Sequence, residues 1–251
     1  MDRSQRSRWA ECVLQPEKLE HCQRILAVPF RRARPRAVEY LEYDEIQSVL
    51  AAVDRGKPDG RRDYVLLAAM FNTGARVQEI LDVRPCDLQL VRPFQVRLIG
   101  KGRKERICPI WSQTAELFRD LLAELSVESS AKERLFRNHR REPLTRFGVR
   151  WILAKYCESA QAASPALVGK RRHPHSMRHS TAVHLLQSGV DMVTISHWLG
   201  HASTNTTNRY AAIDLETKSK AIAKAKPAGD TGTVPPGWRA DASILDWLVS
   251  L

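Results

Sequence analysis

The spacing of hydrophobic residues predicts helices through most of the chain from residue 43 onward. Apolar side chains at positions 46, 49, 50 and 53 follow an acidic pair at 44 and 45 and recur at helical spacing. That pattern is typical of an amphipathic helix with an acidic first turn. The same period predicts helices over residues 61–72, 76–82, 112–126, 145–159, 175–188 and 191–199, then a short helix that carries Tyr210 and a polar helix to about residue 224.

One part of the chain alternates with the period of a β-strand. Residues Phe94–Ile99 alternate, and Glu105–Ile110 can pair with them. Between them lies a basic tip, residues 100–104, whose two glycines, Gly100 and Gly102, permit positive φ angles in a tight turn. The predicted fold class is therefore mainly α with a small antiparallel β-sheet, either a hairpin or three strands (α+β).

The two ends of the chain differ from its centre. Residues 1–37 contain nine Lys or Arg against four Asp or Glu, and Pro35 interrupts the last basic run. Such a stretch is typical of an arm along a phosphate backbone, or of a solvated segment without fixed structure. Residues 226–237 are rich in Pro and Gly, whereas 244–251 suit a short amphipathic helix. The predicted division is an arm or domain remnant over 1–39, a central domain over 40–226, and a linker with a C-terminal helix over 227–251.

The charge of the chain favours a polyanionic partner. Forty Lys and Arg against 28 Asp and Glu give a net charge of +12, and each neutralised phosphate releases counterions and adds affinity. The five cysteines have neither zinc-site nor redox-motif spacing, which favours a reducing compartment. There is no apolar run of membrane-spanning length and no secretory signal. We therefore expect a soluble cytoplasmic protein that associates with the nucleoid when it is bound to DNA.

Five short motifs contain residue types that suit phosphoryl transfer. Two arginines can each bind the non-bridging oxygens of one phosphate, and fixed cations favour the transition state, in which negative charge grows. A tyrosine hydroxyl can attack once it loses its proton, and a lysine on a hairpin tip can protonate the leaving oxygen. The motifs are Thr73-Gly74-Ala75-Arg76, Gly100-Lys101-Gly102, His175-Ser176-Met177-Arg178, Leu199-Gly200-His201 and Tyr210.

In this order and spacing, the motifs resemble the tyrosine recombinase (phage integrase) family. The resemblance covers about residues 40–225, with 22 residues between Arg178 and His201 and eight between His201 and Tyr210. It implies the recombinase catalytic-domain fold over 40–226. It also implies that Tyr210 forms a 3′-phosphotyrosyl link and frees a 5′-hydroxyl. By the same resemblance, the phosphate is bound by Arg76, Arg178 and His201, Lys101 is the general acid, and His175 assists proton transfer.

The function that the resemblance implies is site-specific DNA cleavage and rejoining by an integrase, in the integration, excision or transposition of a mobile element. The implied partner is double-stranded DNA, bound by a homo-tetramer on two sites, without a membrane or a small-molecule substrate. We expect no cofactor. A metal is unnecessary if cations already neutralise the phosphate, and ATP is unnecessary because the covalent link conserves the phosphodiester energy. Residues 244–251 either exchange between protomers or fold back onto their own domain.

Alternative interpretations remain open at this point. Members of the family usually place a helical DNA-binding domain of about a hundred residues before the catalytic one, whereas some 37 to 40 residues precede it here. The chain can therefore be a truncated or minimal recombinase, or a non-catalytic DNA-binding derivative. A type IB topoisomerase shares much of the chemistry. A metal-dependent nuclease is the third class, since His175 and His179, like His197 and His201, have the spacing of a zinc pair on a helix.

Overall fold

The computed structural model describes residues 20, 23–24, 39–170, 173–200 and 210, with the backbone alone at residue 101. The chain divides into two units, Met1–Arg36 and Ala37–Leu251, and almost all of the described residues belong to the second. The predicted polar helix to residue 224, the Pro/Gly-rich stretch and the C-terminal helix lie outside the described residues, as does nearly all of the predicted arm. The predicted boundaries at 39 and 226 therefore stay predictions.

The second unit is mainly helical within its described part. The helices are α1 (Tyr43–Ala51), α2 (Pro58–Thr73), α3 (Val77–Leu81), α4 (Ser112–Leu125), α5 (Arg146–Ser159), α6 (Pro174–Gln187) and α7 (Met192–Leu199). The helix α2 is central, because it packs against α1, α3, α4 and α6, while α7 packs on α6. Residues 65–73 of α2 are almost all buried, as expected for a helix with neighbours on several sides.

Three antiparallel strands form one small sheet. The strands β1 (Leu88–Gln89), β2 (Gln95–Ile99) and β3 (Glu105–Pro109) pair in the order β1-β2-β3. In β2, alternate residues are buried, as the period-two pattern predicts. The sheet contacts α3 through β2. The predicted fold class, mainly α with a small antiparallel sheet, is confirmed.

Some element boundaries differ from the sequence prediction for local reasons. The helix α2 begins three residues earlier than predicted, because Pro58 occupies its first turn, where the fixed φ of proline is favourable and its missing N–H costs nothing. The helix α3 begins at Val77, after Arg76, which is the extended N-cap residue. In the hairpin turn, Gly102 and Arg103 have positive φ, whereas Gly100 is extended with φ of −94°. The positive φ that the glycines permit is therefore adopted at Gly102 and not at Gly100.

The buried apolar residues form two clusters. The larger one joins the first five helices to the sheet and also includes Met177 of α6. The smaller one lies between α6 and α7 and contains Tyr210. Among the described residues, no helix is long and apolar enough to cross a membrane.

Candidate active site

The turn after α2 positions Arg76. Gly74 ends the helix in the left-handed conformation, with φ of 57°, and its N–H donates to the Met70 carbonyl. The Thr73 hydroxyl donates to the Ala69 carbonyl and accepts from the Ala75 N–H at 3.2 Å. Because these bonds are local, the sequence Thr73-Gly74-Ala75-Arg76 specifies the turn by itself. It places Arg76 at the start of α3.

Glu79 holds two arginines from different elements. Its carboxylate accepts from the Arg76 backbone N–H at 2.9 Å and from the Arg76 guanidinium at 2.7 Å. It also accepts from the guanidinium of Arg106, on β3, at 2.8 Å. Burial by itself would raise the pKa of Glu79, but the hydrogen bonds and charges of the two arginines outweigh burial, so its pKa lies below the usual value. Glu79 is therefore a carboxylate at neutral pH.

Arg178, on α6, joins the ends of two other helices. It is only 5% exposed, and its two terminal nitrogens donate to the Gly74 carbonyl at 2.6 Å and to the Leu199 carbonyl at 2.5 Å. Burial lowers its pKa to about 10, and the neighbouring positive charge of Arg76 acts in the same direction. Arg178 therefore remains charged at neutral pH, inside a largely dehydrated site where its charge acts strongly.

Three arginines converge on the end of α7. Three consecutive carbonyls accept from them: Trp198 from Arg106 at 3.1 Å, Leu199 from Arg178 at 2.5 Å, and Gly200 from Arg76 at 3.5 Å. The last carbonyls of a helix have no partner within the helix and carry partial negative charge, so cations there are favourable. Arginine forks of this kind also suit the oxygens of a phosphate. The arrangement is a cationic cluster at the position where the chain continues into His201.

Tyr210 packs against the helices α6 and α7. Its hydroxyl is 2.6 Å from Nδ1 of His179, with which it shares a hydrogen bond, and its ring meets the His179 ring edge-on at 5.8 Å. His179 directly follows Arg178 on α6. Tyr210 itself is 1% exposed. The predicted nucleophile is thus near the arginine cluster but buried.

The other predicted site residues are His175, Lys101 and His201. His175 is exposed in the first turn of α6, and its ring stacks on that of His173 at 5.3 Å. Lys101 lies in the hairpin turn, and a Cβ atom on the preceding Gly100 would be 3.1 Å from Glu79 Oε1. The hairpin tip therefore begins beside the arginine cluster. His201 lies outside the described residues.

The sequence analysis did not assign three residues to this site, namely Glu79, Arg106 and His179. Arg76 and Glu79 have the spacing of a capping pair, which was a usable signal. The sequence signal for Arg106 was weaker: alternation along β3 places Arg106 on the same side of the strand as the buried Cys108. His179 was considered only as half of a zinc pair with His175. Its contact with Tyr210 joins residues 31 positions apart, which no local pattern indicates.

Other chemistries find less support in the described residues. Within residues 39–170, 173–200 and 210, no three side chains among His, Cys, Asp and Glu are grouped as a metal site. His201, a member of the second zinc pair, lies outside the described residues. Cys108 is buried beside the Thr73 carbonyl, and burial raises the pKa of its thiol to about 12. Since the thiolate is the nucleophilic form, Cys108 is inert at neutral pH.

Comparisons with known proteins agree with this fold. The sequence model described as "Phage integrase family" matches residues 39–216. The chain is 38% identical to y4rC of Sinorhizobium fredii, an integrase/recombinase by name, over 94% of this chain and 70% of that protein. It is 32% identical to tyrosine recombinase XerD of Halalkalibacterium halodurans, over 78% of this chain and 64% of that protein. The chain thus spans about two thirds of the length of these relatives.

Solved structures show the same fold. The site-specific recombinase XerH, in a post-cleavage complex with its palindromic difH substrate, superposes with a TM-score of 0.64 at 24% identity, over 75% of this chain and 54% of that one. The fold and the arginine cluster define a recombinase-type catalytic domain. This chain belongs to the phage integrase family, that is, to the tyrosine recombinases.

Proposed function

We propose that this protein cleaves and rejoins double-stranded DNA at specific sites through a covalent link to Tyr210. The observation that carries the proposal is the convergence of Arg76, Arg106 and Arg178 on the end of α7. Tyr210 is hydrogen-bonded to His179, the residue that follows Arg178. A cluster of fixed cations beside a tyrosine suits attack on a phosphodiester, because negative charge grows on the phosphate in the transition state.

The proposed reaction conserves the number of phosphodiester bonds. The Tyr210 oxygen forms a bond to phosphorus as the bond to the 5′ oxygen breaks, and Arg76, Arg178 and His201 hold the phosphate. The phenol proton passes to His175, and Lys101 protonates the leaving oxygen, so that a 5′-hydroxyl is released. A second 5′-hydroxyl then attacks the phosphotyrosine in the reverse sense. No metal ion is needed, since the arginines supply the positive charge, and no ATP is needed, since the phosphotyrosine link conserves the energy of the broken phosphodiester.

The biological setting that we propose is the integration, excision or transposition of a mobile element. The relative y4rC is an integrase/recombinase by name, and several of the structural neighbours are integrases of the transposon Tn1549 in complex with DNA. We propose a homo-tetramer that brings two DNA sites together, with residues 244–251 exchanged between protomers. Deleting residues 240–251 should then weaken assembly on DNA and leave cleavage by single protomers intact.

A nicked duplex provides the direct test. A nick close to the cleavage point lets the short fragment that carries the freed 5′-hydroxyl diffuse away, which traps the covalent adduct as a slower band on a denaturing gel. Tyr210→Phe should abolish the adduct, and Arg178→Lys should reduce it strongly, because lysine cannot fork onto two oxygens. A chelator should leave the yield unchanged. An adduct formed by Tyr210→Phe would show that another residue is the nucleophile.

A non-catalytic DNA-binding protein is the second candidate. Both terminal nitrogens of Arg178 are occupied by carbonyls and Tyr210 is buried, so the described arrangement is not ready for attack. Salt-sensitive DNA binding, without an adduct on any nicked substrate, would support this candidate. Strand transfer by the wild-type protein would exclude it.

A further inference from the structure

His173 and His175 are in contact at the beginning of α6, although they are two positions apart. Side chains with that separation inside a helix point in different directions. Here His173 is the N-cap residue, with extended backbone angles of φ −119° and ψ 140°, and its side chain turns back to the backbone of His175. The two ring centroids are 5.3 Å apart and the angle between the ring planes is 6°. The contact is therefore a stacked pair of imidazoles that includes a predicted site residue.

A hydrogen bond fixes the His173 ring of this pair. Nδ1 of His173 accepts from the backbone N–H of His175 at 3.2 Å, which caps the first turn of α6. Because an accepting nitrogen carries no proton, the neutral ring has its proton on Nε2. Pro174, between the two histidines, is buried and is the first residue of the helix, and its ring fixes the backbone φ angle. The His173 ring is thus held by bonds that do not involve the His175 ring.

The His175 ring, by contrast, is on the surface of the domain. The residue is exposed, and an exposed imidazole has roughly three staggered positions around χ1 and roughly two orientations around χ2. A proton acceptor works only when its nitrogen is within hydrogen-bond reach of the proton that it takes. The parallel ring of His173 favours the orientation of His175 that preserves the stack. His173 therefore selects among orientations of His175 that differ in their use for proton transfer.

We propose that His173 is a positioning residue, which holds the His175 ring in the orientation that accepts the proton of Tyr210. The inference rests on the proposed function, in which His175 takes that proton. His173 acts through its ring, which stacks on His175, and touches neither the phosphate nor the leaving oxygen. Without the stack, the His175 ring spreads over about six orientations, so the rate of adduct formation should fall roughly three- to sixfold.

Two substitutions separate the ring of His173 from its cap. His173→Ser removes the ring and keeps the cap, because serine is among the best N-cap residues. It should keep the wild-type midpoint of urea unfolding, whereas its rate of adduct formation at saturating DNA should fall roughly three- to sixfold. His173→Phe keeps a ring that can stack and removes Nδ1. It should unfold at a lower urea concentration and regain most of the rate that His173→Ser loses.

The effect of His173 on the rate should require His175. In a His175→Ala background, the ring that His173 positions is absent, so adding His173→Ser should change the residual rate by less than about twofold. A general effect of His173 on the structure of α6 would be the same in both backgrounds. His139→Ser is the matched control, since it removes another exposed histidine, in the turn before α5, and should leave the rate unchanged.

Nuclear magnetic resonance of the protein with ¹³C-labelled histidines measures the stack without DNA. The ring current of His173 shifts the ring-proton resonances of His175, which are assigned by their absence in His175→Ala. His173→Ser should move these resonances towards the positions of a free histidine. His173→Phe should keep them displaced, because its ring also carries a ring current.

The three measurements together decide the proposal. Unchanged His175 resonances in folded His173→Ser would overturn it, as would an equal effect of His173→Ser on the rate with and without His175. A loss of rate in His173→Phe but not in His173→Ser would also overturn it, and would make His173 a helix cap alone. Displaced resonances in a protein that never forms an adduct would support the stack and contradict the proposed function.

Discussion

Gly74 and Leu199 are in closer contact than any residue with a side chain at position 74 would allow. A Cβ atom on Gly74 would lie 2.4 Å from Leu199 Cδ2. The carbonyls of the same two residues accept the two hydrogen bonds of Arg178. The close approach of α2 and α7 therefore determines the position of the Arg178 guanidinium.

Gly74→Ala should separate these two helix ends. The substitution combines a positive φ with a steric clash, so we expect the free energy of unfolding to fall by roughly 2–4 kcal/mol. Adduct formation should fall as well, because Arg178 loses its fixed position. Urea denaturation followed by circular dichroism measures the first effect, and the nicked-duplex assay measures the second.

Gly189→Ala is the matched control for that substitution. Gly189 also has a positive φ, of 87°, but a Cβ atom there would meet nothing within 4 Å. The Gly189→Ala variant should therefore lose only the free energy that the unfavourable backbone conformation costs, roughly 1–2 kcal/mol. Its rate of adduct formation should stay that of the wild type. Equal losses of activity in both variants would show that the contact between Gly74 and Leu199 does not position Arg178.

Arg106→Gln, a substitution on β3, should lower both the stability of the fold and the rate of adduct formation. It removes a partner of the buried Glu79 and of the Trp198 carbonyl, so Glu79, the counter-ion of Arg76, is held less firmly. We expect a loss of roughly 1–3 kcal/mol in the free energy of unfolding, and a fall in the rate of adduct formation of roughly 10- to 100-fold, since small misplacements are costly in catalysis.

Arg97→Gln is the control that separates the effect of Arg106→Gln on stability from its effect on activity. Arg97 lies on β2 and pairs with the buried Asp87 at 2.6 Å, outside the arginine cluster. Its loss should destabilise the fold to a similar extent, while the rate of adduct formation stays within about twofold of the wild type. Similar losses of activity in both variants would mean that Arg106 acts through stability alone.

Tyr156→Phe tests a buried polar network in the larger core. The Tyr156 hydroxyl donates to Asp63 at 3.0 Å, and Arg62 also binds this carboxylate. Burial raises the pKa of both Asp63 and Tyr156. Removing the hydroxyl leaves a buried carboxylate oxygen without its donor, so we expect a loss of roughly 1–3 kcal/mol in urea denaturation. Tyr64→Phe, at a half-buried tyrosine of α2, should change much less.

His184 should make stability depend on pH. Burial lowers its pKa from the ordinary value of 6.5, so below pH 6.5 the unfolded chain binds a proton more readily than the folded one. The free energy of unfolding should therefore be greatest above pH 6.5 and decrease as the pH falls through 6.5 towards the folded pKa. His184→Phe, which keeps the ring stacked on Tyr43, should show a weaker decrease between pH 8 and 5. Parallel curves for the two proteins would contradict the prediction.

Local patterns in the sequence were sufficient to predict the fold class. Helical and strand-like periods depend on which face of an element is buried, so they are legible without the tertiary structure. The end of α2 at Gly74 and of α7 at Gly200 follow from glycine in the left-handed conformation. The exact turn geometry was less predictable, because Arg103, which has a side chain, takes a positive φ beside Gly102.

The sequence by itself determined the family and the residue types of the site, since motif order and spacing are properties of the chain. Only the tertiary structure decided how these residues are connected. Glu79 and Arg106 meet across 27 positions, and His179 and Tyr210 across 31. Such contacts arise from the packing of α6, α7 and the sheet, and packing depends on the shapes of distant side chains rather than on local periodicity. The burial of Tyr210 is likewise a property of the folded chain, which the motif around it did not indicate.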